Sequence, residues 1–303
     1  MELSALFETC FVIIALMLVG FFGVRRGIYP PGFSKAASWL VVNVFLVGSV
    51  FQSICSEEAA LTSAELPHVL LTVIVTILLS YVFGFCTLRL FGRKLRADAS
   101  LELSIAVMNN LLVGLPILQA MYGPTAVLYV GLTSLPFNLL LYTYGTWRLG
   151  VNGGFRVKDV FSPCVISTLA ALVFFTLNLP VPGVVSRLFT VIAACSMPLS
   201  MIVIGITMGS ENLSEALRDG RVYLIALVRL VLAPALTWLA LDILTDNALL
   251  LKSCVVIAGC PTGIVVPILT LRSGRDATLA SNAVIVTTLL SLLTLPALLL
   301  ILG

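Results

Sequence analysis

The chain has 303 residues, 60% of them apolar and only 10% charged, with a mean hydropathy of +1.14. A soluble domain is about 45–50% apolar and about 25% charged. The composition therefore excludes a soluble enzyme, a nucleic-acid binder and a disordered chain, and leaves an all-α polytopic membrane protein. The net charge of +3 matters less than where the charges fall.

A spanning helix needs about 20 mostly apolar residues. Apolar runs and their punctuation give ten predicted segments. Segment 1 covers about Leu3 to Val24 and stops at Arg25-Arg26; it is too long for a signal-peptide core and lacks a basic start, so it is read as a retained span. Segment 2 runs from about Phe33 to Ile54, and segment 3 from Pro67 to Phe91, ending at Gly92-Arg93-Lys94. Segment 4 covers Ser100 to Met121, segment 5 Thr125 to Trp147 and segment 6 Val160 to Leu179. Segments 7 to 10 follow at Val184 to Met208, Arg221 to Leu244, Ala248 to Leu271 and Asp276 to Leu302. The seven cysteines (Cys10, Cys55, Cys86, Cys164, Cys195, Cys254, Cys260) form no CxxC pair and read as small hydrophobes. With His68 as the one histidine, no metal site is expected, and no cofactor is implied.

The charges alternate with the segments. One set of loops carries Arg25, Arg26, Lys35, Arg89, Arg93, Lys94, Arg96, Arg148, Arg156, Lys158, Arg218, Arg221, Arg272 and Arg275, which is 14 of the 17 basic residues. The other face has Arg187 and Lys252 beside Glu2, Glu57, Glu58, Glu65 and Asp246. Basic loops stay cytoplasmic, so both termini are expected outside. A shift of 151 residues superposes Pro116-Ile117-Leu118 on Pro267-Ile268-Leu269, Gly123 on Gly274, Ala126 on Ala277 and Leu128 on Leu279, six identities in 13 positions. The halves 1–151 and 152–303 would each hold five segments. An odd number makes the second half enter the bilayer from the opposite side, the inverted repeat of many secondary transporters.

Segments 4 and 9 carry the informative residues. Segment 4 reads Asn109-Asn110-Leu111-Leu112-Val113-Gly114-Leu115-Pro116, and segment 9 reads Cys260-Pro261-Thr262-Gly263 followed by Pro267. Mid-span Gly and Pro loosen a helix and free backbone groups, which hydrocarbon tolerates only where they are buried or line a cavity. Paired breaks beside Asn109, Asn110 and Thr262 point to a substrate site in which amides and half-helix N-termini hold an anion. Asn43 and Gln52 of segment 2 are further candidate substrate contacts, although each also fits as interhelical glue, as do Asn138, Asn282 and Thr287-Thr288. Arg229 lies about two turns from the inner end of segment 8, where it is expected to snorkel, with a gating or substrate charge contact as the alternative. Glu8 and Asp242 fall near outer ends, and no carboxylate is expected at mid-depth.

Several runs together resemble the auxin efflux carrier family of membrane transport proteins, which includes bacterial malate-permease-like carriers and PIN-FORMED plant exporters. They are Asn43-Val44-Phe45 with Phe51-Gln52, Gly114 to Leu118, Ser196-Met197-Pro198-Leu199 with Gly205, Arg229 to Pro234, and Pro267 through Ala280-Ser281 and Thr287 to Ser291 to Leu295-Pro296. The resemblance implies ten helices in two inverted repeats, segments 4 and 9 crossing at their broken centres, an organic-anion substrate and a homodimer. It also implies an elevator-like motion of segments 3–5 and 8–10 against a scaffold of segments 1, 2, 6 and 7. Asn110, Gly114, Pro116, Cys260, Pro261, Thr262, Gly263 and Pro267 match its crossover. Relatives usually carry a proline where Val47 stands and an Asn-Pro-Pro-like start to segment 6 where this chain has Phe161-Ser162-Pro163; no acid lies in the core of segment 3, so auxin itself is not implied. The short 5–6 loop fits a prokaryotic inner-membrane protein. The expected function is secondary transport of a small organic anion such as a carboxylate, with a sodium-coupled symporter of the bile-acid type as the alternative and proton or sodium open as coupling ion. Intramembrane proteolysis would need paired mid-membrane Asp, His ligands or a serine with its base, so no enzyme is expected, and the repeat disfavours a channel.

Overall fold

Along most of this chain the backbone N–H and C=O groups are the only polar groups, and in hydrocarbon they must pair within their own segment. The computed structural model describes residues 3–30, 32–55, 62, 64–91, 98–151, 157–177, 179–211 and 213–303, and among these every regular element is a helix. Glu2, Glu57, Glu58, Gly92, Arg93, Lys94, Arg96 and Arg156 lie outside the described residues.

The elements are α1 (Leu3–Arg25), α2 (Phe33–Leu40, a π-turn at Val41–Phe45, then Leu46–Cys55) and α3 (Leu66–Leu90). Next come α4a (Ala99–Ala106), α4b (a π-turn at Asn110–Gly114, then Leu115–Tyr122) and α5 (Pro124–Leu140, a π-turn at Leu141–Gly145, then Thr146–Leu149). α6 (Pro163–Thr176) and α7 (Gly183–Ser210) follow, then α8 (Gly220–Leu227, a π-turn at Val228–Leu232, then Ala233–Asp242). The chain closes with α9a (Ala248–Ala258), α9b (Val265–Arg272) and α10 (Thr278–Leu302). Two of the π-turns run directly into a proline in the first helical turn beyond, Pro116 in α4b and Pro234 in α8. A proline lacks an N–H and its ring crowds the carbonyl four residues back, so a widened turn is the local solution.

Among the described residues, α2, α3, α5, α7, α8 and α10 are long and apolar enough to cross a membrane, and shorter apolar helices lie in α1, α4b, α6 and α9a. The protein is a multi-pass membrane protein. Side-chain caps set several helix starts. Asp98 accepts from the Ser100 and Leu101 N–H groups at α4a, Ser162 from Val165 at α6, Asp219 from Arg221 at α8 and Asn247 from Leu250 at α9a.

Two groups of helices emerge from the packing. In one, α1 lies on α7, α7 on α2 and α2 on α6; in the other, α3 packs on α4a, α5 and α8, while α8 also packs on α9a and α10. They touch where α5 meets α2 and α6, where α4b meets α7 and where α10 meets α1. Without a hydrophobic force between helices in lipid, close backbone approach supplies the packing. A Cβ added to Gly20 would strike the Ile202 carbonyl oxygen, and one added to Gly205 the Met17 carbonyl oxygen. Ser49 donates to Ser196 Oγ at 2.6 Å, and Ser196 donates to the Phe45 carbonyl at 2.7 Å, tying α2 to α7. Gly205→Ala should therefore destabilise the protein by about 1–3 kcal/mol, read as a lowered unfolding temperature in detergent. Gly183→Ala, whose Cβ meets nothing within 4 Å, should leave that temperature unchanged.

Candidate functional site

Two helices stop in mid-course, and their interruptions meet. α4a ends at Ala106, Val107 turns extended, and α4b restarts at Asn110; α9a ends at Ala258 and α9b restarts at Val265. An antiparallel β-bridge pairs Met108 with Thr262. Asn109 N–H donates to the Pro261 carbonyl at 2.8 Å, and Gly263 N–H to the Val107 carbonyl at 2.9 Å. A Cβ on Gly263 would stand 3.1 Å from the Met108 carbonyl oxygen, tighter than ordinary contact, so a glycine suits this crossing.

Side chains take up several further freed groups. The Thr262 hydroxyl donates to the Ser104 carbonyl at 2.7 Å, and the Thr262 N–H donates to the Thr287 hydroxyl at 3.0 Å. Arg229, in the π-turn of α8, is fully buried. Its Nε donates to the Cys260 carbonyl at 2.8 Å and its Nη1 to the Ile105 carbonyl at 2.6 Å. The expectation that Arg229 snorkels to the inner surface is corrected: the Ile105 carbonyl in the last turn of α4a and the Cys260 carbonyl in the α9 interruption hold it inside. Its Nη2 has no hydrogen-bond partner.

The break in segment 4 is also displaced from the Gly-x-Pro signal. Gly114 and Pro116 sit beyond it, in the π-turn and first helical turn of α4b, because a proline in a first turn costs no hydrogen bond. Gly114 permits contact with α9, since an added Cβ would lie 2.9 Å from Cys260 Sγ. In α9, Cys260, Pro261, Thr262 and Gly263 all lie in the interruption, and Pro267 lies in the first turn of α9b. Asn110 is buried and donates Nδ2 to the Thr133 hydroxyl at 3.0 Å. Asn43 donates to the Trp39 carbonyl of its own helix at 2.7 Å, and Asn138 to the Ser162 hydroxyl at 3.1 Å. Neither Asn43 nor Gln52 lines the cleft at the crossing.

That narrow cleft separates α7 from α10 and is lined by Asn109, Ile264, Thr288 and, from α7, Ile204, Thr207 and Met208. The Asn109 amide and Thr288 hydroxyl make no donor hydrogen bond among the described residues, whereas Thr207 bonds Val203 and Ser34. Ile285 borders both the cleft and a wider opening where α7 ends and α10 begins. Asn282 faces this opening with Glu211, Glu215 and Asp276. The hydroxyl and N–H of Thr278 hold the Asp276 carboxyl below its usual range, so it is charged at neutral pH.

One buried acid escaped the sequence reading. Glu102 of α4a is 1% exposed, pairs with Arg148 Nε at 2.7 Å and accepts from the Tyr144 hydroxyl. Its only sequence signal was an acid a few residues into an apolar segment.

The family model described as membrane transport protein matches residues 5–152 and 148–299. The chain belongs to this family. The resemblance to the auxin efflux carrier family read from the sequence is thereby borne out. An uncharacterized transporter of Methanothermobacter thermautotrophicus is 22% identical over 293 residues, spanning 95% of this chain and 96% of that protein. A putative malonate transporter of Rhizobium meliloti is 23% identical over 300 residues, spanning 94% and 92%. An uncharacterized transporter of Escherichia coli (strain K12) is 22% identical over 213 residues, 66% of this chain and 68% of its own. These relatives of the membrane transport protein family are named as transporters, not as enzymes.

Within this membrane transport protein, Arg229 makes a sharp stability test. Removing it orphans two buried carbonyls, each costing about 1–3 kcal/mol. Arg229→Met should unfold at clearly lower temperature than the parent. Arg229→Lys, a point donor without the planar fork, should recover only part of the loss. A parent-like melting profile in both variants would show that the two bonds do not matter.

Proposed function

We propose that the protein is a secondary carrier of a small organic anion, with the substrate's carboxylate bound in the cleft between α7, α10 and the crossing. The observation that carries this reading is the join of two interrupted helices at Met108 and Thr262, with an amide and a hydroxyl that make no donor hydrogen bond among the described residues, Asn109 and Thr288, lining one cleft. The half-helices α4b and α9b begin here, and helix N-termini favour an anion without a buried lysine or arginine. The organic-anion class is in keeping with the relative named as a putative malonate transporter.

The same reading takes the chain as ten spans in two inverted repeats, residues 1–151 and 152–303. Packing supports it pairwise: α1 on α7 corresponds to α6 on α2, α3 on α4a to α8 on α9a, and α3 on α5 to α8 on α10. Phe45 and Ser196, 151 residues apart and so equivalent under the shift, are hydrogen-bonded to each other. One correspondence is broken, because α5 packs on α2 while the cleft parts α10 from α7. In a carrier of α3–α5 and α8–α10 moving against α1, α2, α6 and α7, that asymmetry is a state open on one side. The open side is the one with the basic loops, the cytoplasmic side of a plasma membrane in this reading, with both termini outside. A homodimer formed through the scaffold belongs to the same proposal.

The substrate contact goes to Asn109, while Asn110 braces α4b against α5. Asn109→Ala should weaken carboxylate binding about tenfold with little change in melting temperature. Asn110→Ala should instead lower stability by about 1 kcal/mol. Ligand-induced thermal shift and counterflow in proteoliposomes separate the two; unaltered binding by Asn109→Ala would sink the site.

A further inference from the structure

We infer that the carried anion bears a single negative charge on a carboxylate and an apolar body, and is not a short dicarboxylate. This rests on the carrier reading above and narrows its substrate class. Four helix ends meet at the crossing. The C-terminal ends of α4a and α9a each carry about −0.5 of a charge and the N-terminal ends of α4b and α9b about +0.5. The one guanidinium at the crossing donates to both C-terminal sides, at Ile105 and at Cys260. Its unit charge offsets the two negative ends and leaves the two positive ends, together about +1.

That remainder matches one carboxylate. No lysine, arginine or histidine lines the cleft. The donors left over, the Asn109 amide and the Thr288 hydroxyl, suit the two oxygens of one carboxylate; Asn109 is 8% and Thr288 6% exposed. A second carboxylate would be desolvated with no counter-charge.

The apolar body has a place prepared for it. An apolar recess borders the cleft, sharing Thr288 and Ile204 with it, and is walled by Met17, Val113, Ile117, Leu292 and Leu295. Because Thr288 and Ile204 border both, the recess adjoins the carboxylate position, and the proposal assigns it to the rest of the same molecule.

Five probes test this on the full chain: acetate, hexanoate, benzoate, malonate and succinate, by thermal shift in detergent and competition for counterflow in proteoliposomes. Hexanoate and benzoate should act at concentrations at least about tenfold below malonate and succinate, since each buried methylene adds about 0.8 kcal/mol. Ile117→Trp, which fills the recess, should lower the benzoate-to-acetate affinity ratio at least about tenfold. Ile117→Ala, a milder change, should move preference toward larger bodies. Tighter binding of malonate or succinate than of both monocarboxylates overturns the charge inference while leaving the carrier intact. Ratios that neither variant moves overturn the apolar subsite, and a lipid acyl chain is then its occupant. If no carboxylate of either class binds, the carrier reading itself falls.

Discussion

Hydrocarbon offers a peptide group no partner, and that single constraint organises this protein. A helix satisfies its own interior, but a helix interrupted in mid-course exposes carbonyls on one side of the gap and N–H groups on the other. Here the two gaps answer each other. Val107, Asn109, Pro261 and Gly263 exchange backbone hydrogen bonds across the Met108–Thr262 bridge, so neither interruption is viable without its counterpart. The Thr262 hydroxyl, together with Thr287 of α10 and Arg229 of α8, completes the join with side-chain hydrogen bonds.

Arg229 turns this structural necessity into an electrostatic one. A buried guanidinium without a carboxylate partner is costly, yet its two bonds go to the Ile105 carbonyl in the last turn of α4a and the Cys260 carbonyl just past the end of α9a, on the sides where negative partial charge accumulates. Positive charge is thereby spent on the side of α3 and α8, and the opposite side of the crossing is left to fixed peptide dipoles, one amide and one hydroxyl. Under the proposed function, a site built this way would attract an anion through fixed dipoles instead of a mobile cation.

Much of this was legible in the sequence, and the failures have physical causes. Composition and the alternation of basic loops identify a polytopic membrane protein, because both follow from bilayer thickness and insertion. The density of glycine and proline in segments 4 and 9 marks them as the broken pair, and Pro261 does fall in its break. Pro116 misleads by position: it opens the resumed helix and lies beyond the gap at Val107 to Asn109. Arg229 misleads by depth. Its partners, Ile105 and Cys260, lie 124 and 31 residues away in sequence, and backbone carbonyls leave no mark on a residue list. Asn109 and Asn110 are chemically identical neighbours, and only the turn of the chain sends one to Thr133 and the other to the cleft.

The join of the two interruptions is open to one direct measurement. Met108 and Thr262 form the non-hydrogen-bonded pair of their bridge, the arrangement in which Cα atoms stand about 4.5 Å apart and a disulfide is geometrically allowed. Met108→Cys with Thr262→Cys, in a chain whose native cysteines are replaced by serine or alanine, should cross-link within one molecule under a membrane-permeant oxidant, as read by mass spectrometry of the digested protein. A pair that stays reduced while the folded protein is otherwise intact would mean that the two interruptions do not meet.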